Sequence, residues 1–325
     1  MSGLDPRRDL AARSVMMLVV YLIFAWLLPS YYSMAGIASL LDGAFLTGVI
    51  ALGVGLTMLV GEMDLSVGSM AALAGIISVE MAPLGIVPAI ILTTILAGLV
   101  GAIQGWCIAW LRINSLIFTV GTLIAFRGLA LLAAHEQTAN LPIEQLDATD
   151  FLSVHWSFLS PLSLVLLIAV LVIGFLSART LWGREMLAIG GGRAEARAAG
   201  VPVRRPLVLA FALSAALAAL AGAVLSLQAG SATPLAFDAV LLDAVTACLV
   251  GGVSLKGGRG SVLGIVIGVF TLRFLVSGIA GLGAPFWAQS LASGALLIAL
   301  ILVEGGYSAF ARRRALSRHR AAVAG

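Results

Sequence analysis

Charge is scarce in this 325-residue sequence: 10% of its residues are charged against 61% hydrophobic, and Lys256 is its only lysine. No polar stretch approaches the length of a folded soluble domain, so no fused ATPase domain is expected in this sequence. Only two cysteines occur, Cys107 and Cys248. Both lie inside apolar runs without C-x-x-C spacing, so neither a disulfide framework nor a cysteine metal site is expected. His135, His155 and His319 have no H-E-x-x-H or comparable spacing, and no serine has a recognisable base beside it, so catalysis finds little support and no metal or cofactor is expected. "GGVSLKGG" is glycine-rich, but Gly257 follows Lys256 where a phosphate-binding loop needs Ser or Thr. The net charge of +4 comes from arginines in the gaps between apolar runs, not from one basic face, which argues against nucleic acid as a partner.

What is present is apolar sequence in long runs. The mean hydropathy of +1.11 and runs of about 20 apolar residues describe an all-α polytopic membrane protein, with lipid as its surroundings. Ten spans are expected, at 15–33, 44–60, 66–82, 87–110, 115–134, 160–178, 207–228, 236–253, 261–280 and 286–304. The permease domain is then 15–304, between an N-terminal cytoplasmic segment 1–14 and a basic tail 305–325. Arg7, Arg8 and Arg13 precede a first apolar run that lacks a clear small-residue cleavage site, so it reads as an uncleaved span.

Charge tests this count. With both termini cytoplasmic, Arg112, the Arg-rich 179–206 segment, Lys256 and Arg259 fall on the inner side. The longest outer loop, 135–159, carries Glu136, Glu144, Asp147 and Asp150. A faint internal repeat, "LVGEMDLSVG" at 59–68 and "LVGGVSLKGG" at 249–258, predicts two related halves whose inner hairpins face each other.

Two groups of candidate functional residues emerge. The first is the inner loop containing "GREMLAIGGGRAEARAAGVPVRR". Arg193 to Ala199 is helix-competent, preceded by a flexible Gly190-Gly191-Gly192 and closed by Gly200 with Pro202 beyond. Such a framed helix suits docking of a soluble partner through Arg184, Gly190, Gly191, Gly192, Glu195, Ala196, Ala199 and Gly200, although a positive-inside loop would need only the arginines. The second group lines a path or gate: Asp64, Ser66, Gln104, Thr119, Thr122, Arg127, Gln228, Asp243 and Thr246, to which Arg273 is added as a costly intramembrane charge. Amides and hydroxyls with few charges suit a neutral, hydroxyl-rich solute, but they also serve interhelical packing. Asp64 or Ser66 can equally cap the third helix, as Ser261 can the ninth, and snorkelling accounts for Arg127. Asp243 with Arg273 is the one set that would suit an ion-coupled transporter instead.

Four motifs in order, "LGVGLTMLVGEMDLSVGSMAALAG" (52–75), "INSLIFTVGTLIAFRGLALL" (113–132), "GREMLAIGGGRAEARAAGV" (183–201) and "LDAVTACLVGGVSLKGGRGSVLGIVIG" (242–268), resemble the ribose-type permease family of bacterial ABC importers, related to the branched-chain amino acid permeases. The resemblance implies a multi-pass plasma-membrane subunit that pairs with a second permease chain, identical or related. A cytoplasmic ABC ATPase would drive it, seated on the segment matching 184–200, and an outer solute-binding protein would deliver a monosaccharide or related polyol. A nucleoside or branched-chain amino acid is the alternative cargo within such families. The chain departs from the family pattern twice: Glu62 stands where a second glycine is usual, and Asn114-Ser115 where a proline is usual.

Overall fold

The computed structural model describes residues 6–299 and 301–302, so the expected basic tail 305–325 lies outside the described residues. Among the described residues, seven helices are long and apolar enough to cross a membrane: α1 (Pro6–Leu27), α2 (Met34–Leu59), α4 (Ile86–Leu111), α5 (Ser115–Ala133), α6 (Pro161–Arg179), α9 (Arg204–Gln228) and α11 (Val262–Gly281). The other three expected spans are short apolar helices: α3 (Val67–Glu80), α10 (Val240–Val250) and α12 (Phe286–Ala299). At 1.5 Å per residue, α3 covers about 21 Å and α10 about 16 Å, less than the hydrocarbon thickness of about 30 Å. The expectation of ten helices of similar length is corrected there: among the described residues each expected apolar segment forms a helix, but α3 and α10 are too short to cross alone. The first span is also longer than expected, since its helix begins at Pro6 within the segment 1–14.

Two amphipathic helices, α7 (Leu181–Gly191) and α8 (Arg193–Ala198), follow α6. Side-chain oxygens set several helix starts: Asn114 accepts from Leu116 N at 2.9 Å to begin α5, Ser160 caps α6, Thr180 caps α7, and Ser261 caps α11 as expected.

α9 and α2 form the centre, with α4 and α3 packed along α9, while α1 sits at the periphery against α11. Small residues permit this. A Cβ on Gly222 of α9 would collide with the backbone of Ala71 in α3, and one on Gly101 of α4 with the carbonyl of Phe211 in α9. The connections at 60–66, 112–114, 180–203 and 251–260 gather at one end with most of the arginines and Lys256. The opposite end holds 134–160 and 229–239, joined by a two-stranded ribbon, β1 (Ala139–Asn140) against β2 (Ser231–Ala232). Glu136, Glu144, Asp147 and Asp150 are all exposed there.

The repeated hairpins do meet. Gly258 N donates to Leu59 O at 2.9 Å, and Gly257 packs on Gly61. Their flanking helices, however, are exchanged in length: the first motif is followed by the short α3, the second preceded by the short α10.

Adding a methyl group at Gly222 (Gly222→Ala) is expected to lower stability by about 2 kcal/mol through overpacking against α3. Gly121→Ala, which meets open space on α5, is expected to be neutral or stabilising by up to about 1 kcal/mol. Thermal unfolding of the detergent-solubilised protein compares the two.

Candidate functional site: a buried segment joined to the amphipathic helices

After α2 ends, Gly61 takes φ +82 and Glu62 N donates back to Thr57 O at 2.9 Å, so the chain turns and re-enters the bundle. Residues 62–66 are not helical and carry Asp64 to the level of Ser214, ten residues into α9. Asp64 is fully buried at 0% exposure. Its carboxylate accepts from Ser66 N at 3.0 Å, Ser66 Oγ at 2.6 Å and Ser214 Oγ at 2.9 Å, and no cation pairs with it among the described residues. Three donated hydrogen bonds replace the hydration that a buried carboxylate loses.

The rest of the segment is held as closely. Met63 N donates to Ser115 Oγ at 3.4 Å, and Met63 O accepts from Thr119 Oγ1 at 3.3 Å, both on α5. Gln104 of α4 donates to Ser66 Oγ at 3.3 Å and to Thr122 Oγ1 at 2.7 Å, leaving its Oε1 buried and without a partner. Glu62, 11% exposed at the side chain, forms an ion pair with Arg193, the first residue of α8. Asp64, Ser66, Gln104, Thr119 and Thr122 thus form one network. Capping of α3 by a side chain does not occur: Asp64 reaches Ser66 N in a local turn, and Ser66 makes no cap bond.

Other candidates lie elsewhere. Arg127 is not snorkelling free but pairs with Asp238 in the 229–239 connection. Gln228 donates to Leu152 O at 3.2 Å beside a cleft of about 600 Å³ lined by Ser153, Ser226, Gln228, Ser231 and Thr233 together with Leu225, Ala229, Ala236 and Phe237. Thr246 spends its hydroxyl on Leu242 O at 2.7 Å within α10. Asp243 lies beside Ser293 of α12. Arg273 sits in a notch opposite Gly43, donating to Ser39 O at 3.2 Å, and no ion pair joins it to Asp243 among the described residues.

At the basic end, the amphipathic pair takes a different form from a flexible spacer and one helix. Gly190 and Gly191 belong to α7, and Gly190 packs so closely on Leu59 O and Gly258 that no side chain fits. Only Gly192 breaks the helix, and Gly200 at φ +82 ends α8. α7 is anchored by buried Met186 and Ile189, and Trp182 Nε1 donates to Pro206 O at 3.2 Å. Of α8 only Ala196 is buried; Glu195, Arg197, Ala199 and Gly200 are exposed, as is Arg184 of α7.

Seven described helices of membrane-crossing length make this an apolar helical bundle, and comparison with known proteins gives its family. The family model described as branched-chain amino acid transport system / permease component matches residues 36–301. The chain belongs to this permease family. The permease is 33% identical to the autoinducer 2 import system permease protein of Photorhabdus luminescens, over 85% of this chain and 83% of that one. It is 30% identical to the xylose transport system permease protein of Escherichia coli (strain K12), over 88% of this chain and 89% of that one. It is 32% identical to the autoinducer 2 import system permease protein of Klebsiella pneumoniae, over 99% of this chain and 92% of that one. No solved structure matches it.

Two functional partners carried no sequence signal that singled them out. Ser214 of the network sits in an Ala-rich helix. Asp238, outside the network, lies inside the expected eighth span, 236–253, and its partner Arg127 is 111 residues away.

Asp64→Ala is expected to strand Ser66 N, Ser66 Oγ and Ser214 Oγ in an apolar interior and to lower stability by at least about 2 kcal/mol. The thermal midpoint in detergent checks this, and Ser214→Ala, which removes one donor, is expected to cost less.

Proposed function

We propose that this permease is the membrane-spanning translocation subunit of an ATP-driven bacterial importer for a monosaccharide or related polyol. The cargo reading is supported by relatives named for xylose and autoinducer 2 transport, and by a cleft of mixed hydroxyl, amide and apolar lining at the end opposite the arginines. The basic end faces the cytoplasm, as the positive-inside rule requires, with both termini on that side. There α7 and α8 receive a separate ABC ATPase, since this chain carries no phosphate-binding loop of its own. The acidic 135–159 connection and the adjacent cleft receive an outer solute-binding protein, and a second permease chain completes the assembly.

The observation that carries the reading is the exposed α8, tethered through Glu62 to a segment hydrogen-bonded inside the bundle. ATP can bias one conformation only by contacting it differently from another, and α8 is where this chain offers such a contact.

Gentle purification of the tagged chain from its native membrane tests the assembly by mass spectrometry. An ATPase in near-equal amount, with a solute-binding protein, is the expected result, and a chain recovered alone under mild cross-linking would refute it.

Within the assembled complex, Glu195→Arg and Gly200→Pro are expected to leave insertion intact while uptake of the binding protein's ligand falls about tenfold or more. Proline cannot adopt the positive φ at position 200. Normal uptake by both variants would remove α8 from the coupling role.

A further inference from the structure

We propose that the Glu62–Arg193 ion pair is the positioning contact through which α8 sets the place of the Asp64 segment. The inference rests on α8 being the ATPase dock. α8 has little other hold on the bundle: Ala196 is its one buried residue, and Arg193 makes its only ion pair among the described residues. Glu62 is the first residue of a non-helical stretch whose polar groups are bonded to several different helices. Met63 is held at both N and O by α5, Asp64 by Ser214 of α9, and Ser66 by Gln104 of α4. A short segment pinned to three helices in this way has few ways to rearrange, so a displacement of Arg193 reaches Asp64 two residues beyond Glu62.

The α7 contacts do not substitute for this link. Gly190 touches the backbone of Leu59 and Gly258, on the far side of the Gly61 turn from Asp64. They brace the end of α2, whereas the ion pair acts on the segment beyond it. Because Glu62 is mostly withdrawn from water while Arg193 is 43% exposed at the side chain, removing either charge leaves the other unpaired and the segment free of α8.

The test uses the complete complex reconstituted in lipid, with Cys107 and Cys248 replaced by Ala and one reporter cysteine at Leu65, a partly exposed position outside the hydrogen-bond network. The rate of labelling by a small methanethiosulfonate reagent is measured without nucleotide and with Mg-ATP and vanadate. The parent is expected to show a change of about threefold or more, as nucleotide shifts the population between conformations that expose Leu65 differently. Glu62→Gln and Arg193→Gln, close in shape, are expected to bring the ratio near one with the ATPase still bound, and the exchanged pair Glu62→Arg with Arg193→Glu to restore it. Arg193→Lys, which keeps the charge, is expected to retain the parent ratio and serves where the exchanged pair does not assemble.

A parent that shows no nucleotide-dependent change, single variants that keep it, or an exchanged pair and a lysine variant that both fail to recover it would each overturn the proposal. Absence of an ATPase from the purified complex would instead overturn the function on which it rests, before any labelling is done.

Discussion

Everything at the centre of this permease follows from one constraint: non-helical backbone inside an apolar bundle must find its hydrogen bonds from neighbouring side chains. The stretch 62–66 lacks the internal bonding of a helix, so α4, α5 and α9 each supply a hydroxyl or amide to it. Those helices are otherwise almost wholly apolar on the faces they bury. Gln104, Ser115, Thr119 and Ser214 stand where the backbone needs them, and the fully buried Asp64 sits at the focus.

The same constraint links the membrane interior to the exposed helices. A segment bonded to three helices is stiff, and its one charged end emerges at α8. Around it, backbones meet without side chains between them, with Gly257 and Gly258 packed on Gly61, Gly190 and Gly191. The end of α2, the end of α7 and the connection after α10 therefore form one close-packed junction. Arg13 adds a fourth element, donating from α1 to the carbonyls of Leu249 and Val250 at the end of α10, where a helix end favours a cation.

Much of this was legible residue by residue. Hydropathy located ten apolar segments, and the clustering of arginines at one end agrees with the charge asymmetry of the loops. The polar residues Asp64, Ser66, Gln104, Thr119 and Thr122 stand out in apolar surroundings, and they do come together. Arg127, Gln228, Asp243 and Thr246 stand out equally and do not join them, because conspicuousness in a span carries no information on which face meets which neighbour. The two departures from the family pattern became intelligible only in the fold. Glu62 meets Arg193, and Asn114 begins α5 so that Ser115 reaches Met63.

Transfer of apolar side chains out of water is additive along the chain, so the sequence alone determined the class of protein, the number of its apolar helices and which connections share an end. Whether a helix crosses fully is not additive. α3 and α10 are short because the chain beside each departs from the helix, and at α3 partners on α4, α5 and α9 make that departure affordable. Those partners lie 38 to 150 residues away from it in sequence. Only tertiary packing brings them within hydrogen-bonding distance, and so only the structure decided where the bundle is broken and what holds the break.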